Sequence, residues 1–415
     1  MTPSAAGTRT TEATVGGRAR LFAVRLPLLL LAWALLSVGG TALAQSGADG
    51  ATAEPAEPAV AAEVVATTEL DAEVAEVAGP AGTERATPCP RWRRRLAPVV
   101  SLLAGPVVHG AGALTGCHRL AGRRLGLTQA AGLGALIVGG GGLVITGASR
   151  KTIAPFTYFA ISGIGLFMFS WVADLYAAIS DGQARGRPGP NTAYELNVGY
   201  RQVHDPQFDH DAFAHVGFGA WLGQQRLFAE VDVALDTDTQ RGRFGIARRL
   251  LGGTGRGSSL ELELASTWQR FGADGFATLT GELSFAGRLD LADFAPALVG
   301  SFVEGSLGIG LQMVGYQATG GGVGEEAHAL LLTRLGYGVY LGETGEVVLS
   351  YDHRRDGLEG GLSTESVGAG NIGFLDLRGR GWFPGAPRWG VEGSITVGSA
   401  WIVGASILHR GSLDR

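Results

Sequence analysis

Cysteine is nearly absent: Cys89 and Cys117 are the only two in 415 residues. So few thiols exclude a disulfide-laced scaffold and a thiolate metal cluster, leaving one bridge or two independent thiols. In an exported chain, a Cys89–Cys117 bridge is the expectation. Charge is also sparse, at 17% of residues with a net of −5, and this leaves no basic footprint for nucleic acid. Metal and phosphate motifs are missing as well. There is no His-x-x-x-His pair, and the glycine-rich stretches GGTGRG (Gly252 to Gly257) and GGGVGEE (from Gly320) lack the Gly-Lys-Ser/Thr ending of a phosphate loop. No cofactor is expected. No Leu-x-x-Cys precedes the first small-residue cleavage pattern, which argues against a lipid anchor.

What is present begins with an export signal. Arg18, Arg20 and Arg25 precede LPLLLLAWALLSVGG, and TALA ends in an Ala-x-Ala pattern before Gln45. That order of charged, apolar and small residues predicts a leader over residues 1–44, its apolar run being short for a membrane span. Residues 45–90 are rich in Ala, Glu, Pro and Val and poor in aromatics. Such a tract buries too little apolar surface to offset its ordering entropy, and it is read as a disordered acidic linker.

Residues 91–187 are basic and apolar by turns. RWRRR and HRLAGRR flank LAPVVSLLAGPVVHGAGALTG, and two long apolar runs follow. The runs predict a helical hairpin over 127–176, each arm near the roughly 20 residues that span a bilayer, with Arg150 and Lys151 at its tip. Gly139 to Gly142 cost helix propensity but permit close helix packing, so each arm wants a partner. His109 and His118 have no neighbour at metal-ligand spacing and read as structural.

After Asn191 the pattern changes to period two, the mark of strands with one apolar face. In RLFAEVDVALD, Leu227, Ala229, Val231, Val233 and Leu235 alternate with Arg226, Phe228, Glu230, Asp232 and Ala234; in SLELELASTW, Leu260, Leu262 and Leu264 alternate with Glu261 and Glu263. The same phase continues to residue 410 through about twelve segments of roughly 9 to 14 residues, the length that crosses a bilayer when tilted. The charged set holds Glu230, Asp232, Arg243, Glu261, Glu263, Glu282, Glu304, Arg334, Asp352, Arg354, Asp376, Arg378 and Glu392. The opposite set is nearly free of charge, Arg248 being its clearest exception. The fold class is therefore mainly β: an antiparallel transmembrane barrel of about twelve strands over 192–410, its charged set facing the lumen. Trp221, Trp268, Trp382, Trp389 and Trp401, with Tyr194, Tyr200, Tyr316 and Tyr340, fall near strand ends, where aromatic girdles sit.

In this half the chain resembles the outer-membrane β-barrel proteins of Gram-negative bacteria, by pattern and not by motif. The resemblance implies export to the periplasm, insertion into the outer membrane by its assembly machinery, and lipid as the main partner. A long apolar helical hairpin is not part of that pattern, and a partner for it elsewhere in the envelope is an open expectation.

One stretch invites a chemical reading. VHDPQFDHDAFAH, Val203 to His215, gathers three histidines and three aspartates, and His204, Asp209 and His210 are weak metal candidates. Asp and Pro also build turns, and the plainer expectation is the connection between the first two strands. No catalytic residue is assigned, and an enzyme is not expected. Three functions remain: a small outer-membrane pore or envelope-anchoring scaffold; a periplasmic β-domain, held in the inner membrane by the hairpin, that binds a lipid or apolar ligand; and an outer-membrane hydrolase using the His/Asp loop.

Overall fold

The computed structural model describes residues 89–147, 152–180, 192–204, 212–252, 258–272, 276–317, 323–353, 373–398 and 400–411. The expected leader, nearly all of the acidic linker, the hairpin tip, Asp209, His210 and Arg354 lie outside the described residues.

Twelve strands follow in chain order: β1 (Tyr194–His204), β2 (Ala212–Leu222), β3 (Gln225–Ala234), β4 (Gln240–Leu251), β5 (Ser259–Phe271), β6 (Phe276–Asp290), β7 (Ser301–Gln317), β8 (Val323–Leu341), β9 (Gly345–Asp352), β10 (Phe374–Phe383), β11 (Ala386–Val397) and β12 (Trp401–Gly411). Each pairs with its neighbours antiparallel, and β1 pairs with β12 from Tyr194↔Gly411 to His204↔Trp401, so the barrel is closed and has no free edge. Its even count brings Tyr194 and Gly411 to one rim, here the terminal rim. Tight turns join β2 to β3, β8 to β9 and β10 to β11 at that rim, as at Gly223, whose φ of 65° a side chain would resist. Strand lengths run from 8 residues in β9 to 19 in β8, a wider range than the periodicity suggests.

The apolar set points out. Val231, Phe244, Leu264, Leu283, Leu311, Leu377, Ile395 and Ile407 are all exposed on the wall. Exposed apolar surface on this scale needs lipid or protein against it. The aromatic expectation needs correction. Trp268, Trp389 and Trp401 are exposed, but Trp382 and Tyr340 are buried and Trp221 lines the lumen. Strand parity decides this: each of those three shares a face with the charged set.

Among the described residues, four helices precede the barrel: α1 (Arg91–Leu103), α2 (Ala111–Thr115), α3 (Arg119–Ile145) and α4 (Ile153–Ile179). The glycines explain how α3 and α4 pack. A Cβ on Gly139 would lie 2.3 Å from the Ala160 backbone nitrogen, and one on Gly163 would lie 2.4 Å from that of Leu136. Only glycine lets the two backbones approach so closely. Gly140 and Gly141, on the other side of α3, meet nothing.

The hairpin's partner is the barrel itself. Helix α4 lies along the outside of β7 and β8, where Thr333 and Tyr337 are buried although their parity points outward. Tyr158 donates to the Gly308 carbonyl at 3.1 Å, Tyr176 to that of Val299 at 2.7 Å and Ser180 to that of Ala297 at 3.0 Å. Arg124 donates to the Phe294 carbonyl. Leu298, Ala173, Ala177 and Tyr337 form one buried cluster across this seam. Helix and strands thus share one slab, with the end of α4 at the terminal rim.

Helices α1 and α2 fold over the lower part of the hairpin. Cys89 and Cys117 are joined by a disulfide. Asp174 of α4, fully buried, accepts from the Ser101 hydroxyl at 2.8 Å and from the backbone N–H groups of Gly112 at 3.0 Å and Ala113 at 2.7 Å. His109 is hydrogen-bonded to Ser170, its backbone N–H donates to Gln129 at 3.0 Å, and burial holds its imidazole below the ordinary value. Both contacts tie the 104–110 turn to the membrane-length helices.

Candidate functional site: the barrel lumen

Alternation puts every second side chain inside, and the inside is where charge collects. A cavity of about 1140 Å³ occupies the lumen. Its lining reaches from Thr192, Gly223 and Trp382 near the terminal rim to Val203, Phe213 and Ile402 near the other. Of the lumen charges read from the sequence, Glu230, Asp232, Arg243, Glu261, Glu263, Glu282, Glu304, Arg334, Asp352, Asp376, Arg378 and Glu392 line it. Arg226, read on the same face as Glu230, lines it as well, and Glu195, Arg201, His215, Arg241, Arg249, Arg288, Glu346, Arg380 and Arg410 line it too and were missed. Parity carries the signal on β3, β4, β6, β9 and β10, where each falls in phase with a charge already in the set; β1, β2 and β12 hold no charge of that set, so Glu195, Arg201, His215 and Arg410 had no such guide.

The lining charges pair across both neighbouring and skipped strands. Arg243 of β4 holds Glu263 of β5 and Glu282 of β6, both at 2.9 Å, and Arg226 of β3 reaches Glu263 at 3.2 Å. Arg288 of β6 meets Glu304 of β7 at 3.1 Å and Glu346 of β9 at 3.0 Å. Arg378 of β10 reaches Glu304 at 3.4 Å, and Arg334 of β8 reaches Asp376 of β10 at 3.3 Å. Arg380 of β10 joins Glu392 of β11 at 2.7 Å and Glu195 of β1 at 3.1 Å, three strands away. Near the opposite rim His215 Nδ1 lies 2.7 Å from Asp232, which also faces Arg201 at 3.3 Å. Bridges that skip strands hold the guanidiniums over the lumen instead of flat on the wall.

Aromatic faces support several of these cations. Arg288 sits 3.9 Å from the Phe302 ring, Arg410 4.1 Å from that of Trp382 and Arg249 4.4 Å from that of Trp221. The inward tryptophans therefore serve the lining. The lining holds ten arginines and eleven carboxylates, so its formal charge is 10 − 11 = −1 with histidine neutral.

The histidine loop gathers no site among the described residues. His204 is exposed at the end of β1, outside the barrel wall, and no three His, Cys, Asp or Glu side chains among the described residues could hold a metal ion. The cluster that does contain a histidine, His215 with Asp232 and Arg201, lies inside.

No protein-family model matches the chain, and no curated protein matches it. Among solved structures, it is similar to a KdgM porin in complex with disordered oligogalacturonate, at 8% identity and a TM-score of 0.34, over 52% of this chain and 98% of that one. A NanC porin gives 7% identity and a TM-score of 0.34, over 53% and 100%. The Acinetobacter baumannii outer membrane protein Omp33 gives 8% and 0.29, over 54% and 100%.

Proposed function

We propose that this chain is a pore of the Gram-negative outer membrane, non-enzymatic, that passes small polar solutes with little charge preference. The observation that carries the reading is the lumen cavity of about 1140 Å³, lined along most of its length by polar and charged groups, with Val203, Phe213 and Ile402 at the rim away from the termini. A barrel of this strand number can enclose such a space. The apolar outer wall supports lipid contact, and the balanced lining supports weak selectivity, because neither ion meets a wall of uniform sign. The sequence signals for export and the barrel pattern support delivery by the outer-membrane assembly machinery.

Placement of α4 on the barrel's outer wall bears on the alternative of an inner-membrane anchor. A hairpin buried in one membrane while its barrel stood in periplasmic water would have to leave β7 and β8 and expose Tyr337, Leu298 and their neighbours. It would also leave the apolar wall wet. One bilayer around both satisfies both elements.

The test is reconstitution of heat-modifiable, folded protein into planar bilayers. Stepwise conductance with a reversal potential near zero in a salt gradient is expected. Folded, inserted protein without conductance would overturn the pore.

A further inference from the structure

Helix α1 is built with two different faces. At about 3.6 residues per turn, Trp92, Leu96, Val99 and Leu103 fall on one side and Ala97 and Ser101 on the other. The second side is spoken for: Ala97 and Ser101 are fully buried, Ser101 donates to Asp174, and its carbonyl accepts from the Trp171 indole at 3.1 Å. The first side is open, with Leu103 at 75% and Trp92 at 63% exposure. Arg91 and Arg95 flank the open side on one edge and Arg93 on the other.

Large apolar residues facing outward between arginines, on a helix pinned through its small face, are what an interfacial membrane helix needs. The surrounding surface has the same character. Val107 and Val108 in the following turn are apolar and exposed as well. Asp174 is the sole acidic residue between Cys89 and Ser180, and it is buried. Asp174 lies in the last two turns of α4, whose end bonds to the Ala297–Val299 connection, so α1 is held toward the terminal rim.

We propose that α1 is a membrane-surface helix that binds anionic phospholipid in the leaflet at the terminal rim. Its tryptophan–leucine face enters the boundary between headgroups and tails. Arg91, Arg93 and Arg95 hold the headgroup phosphates. This rests on the barrel being membrane-embedded, and the helix would then fix the depth and tilt of the hairpin beside it.

The experiment uses the full chain carrying one environment-sensitive label at a new cysteine, Leu96→Cys on α1 or Leu311→Cys on the barrel wall. Cys89 and Cys117 are bonded to each other and leave the new thiol as the labelling site. Folding is checked by heat-modifiable mobility in phosphatidylcholine vesicles containing some phosphatidylglycerol. The residue-96 label is expected to be quenched by lipids spin-labelled near the headgroup, and more by phosphatidylglycerol than by phosphatidylcholine. Each arginine near an anionic surface contributes about a fivefold preference, so Arg91→Gln, Arg93→Gln and Arg95→Gln together should abolish the difference while leaving the residue-311 label unchanged. Quenching at 96 by aqueous iodide alone, with 311 still reached by lipid, would overturn the surface helix and spare the barrel. Shielding at 96 from both quenchers would overturn it in favour of a protein partner. A residue-311 label that lipid does not reach would defeat the membrane barrel and this inference with it.

Discussion

Leu264→Arg should unfold or strand the barrel, while Glu263→Gln, one residue away, should leave it assembled. Leu264 sits at the middle of β5 with 57% exposure on the outer wall, between Ile246 of β4 and Leu283 of β6, which are themselves 38% and 43% exposed. A guanidinium there has no partner on its face, and a charged residue on the lipid side at the bilayer midplane costs about 2–4 kcal/mol. At about 1.4 kcal/mol per decade, that is roughly a thirty- to several-hundred-fold loss of folded over unfolded protein. Glu263 points the other way and touches Arg243 at 2.9 Å and Arg226 at 3.2 Å. Gln keeps one acceptor oxygen, enough for one of the two arginines; Arg243 retains Glu282, Arg226 retains Glu261, and the lumen is solvated, so the loss is about 1 kcal/mol or less. Urea titration in vesicles, read by heat-modifiable mobility, measures both variants. Equal midpoints, or a Leu264→Arg protein as stable as the wild type, would refute the assignment of faces.

Gly163→Leu should part α3 from α4, because even its Cβ would lie 2.4 Å from the Leu136 nitrogen; faster amide exchange across α3 with an intact barrel band is expected. Arg243→Ala removes the cation shared by Glu263 and Glu282 and takes the lining's formal charge from −1 to −2. Single-channel recording in a salt gradient should show larger steps and a reversal potential shifted toward cation preference. Reduction of the Cys89–Cys117 bridge reopens a 28-residue separation and removes up to about 3–4 kcal/mol of chain-entropy restraint. Limited proteolysis should then cut between Arg91 and Arg124 while the barrel keeps its mobility.

The period-two phase from Tyr194 onward determined that there would be strands, and which side chains would share a wall. Glu261 and Glu263 against Leu262 and Leu264 are legible because a strand's side chains alternate whatever the strand packs against. The same phase contained Arg288, Glu346 and Arg380, and it contradicted a girdle role for Trp221, Trp382 and Tyr340. What only the tertiary structure decided is what those faces meet. Arg380 reaches Glu195 because β1 closes on β12, a contact across 185 residues that no local pattern encodes. Helices α3 and α4 are apolar nearly all round, so their sequence carries no stripe to say which side seeks a partner. The fold puts Gly132, Gly139 and Gly163 in the helix seam, where small residues let the facing backbones approach, and sets α4 against the outer side of β8 through the cluster that holds Ala173, Ala177 and Tyr337.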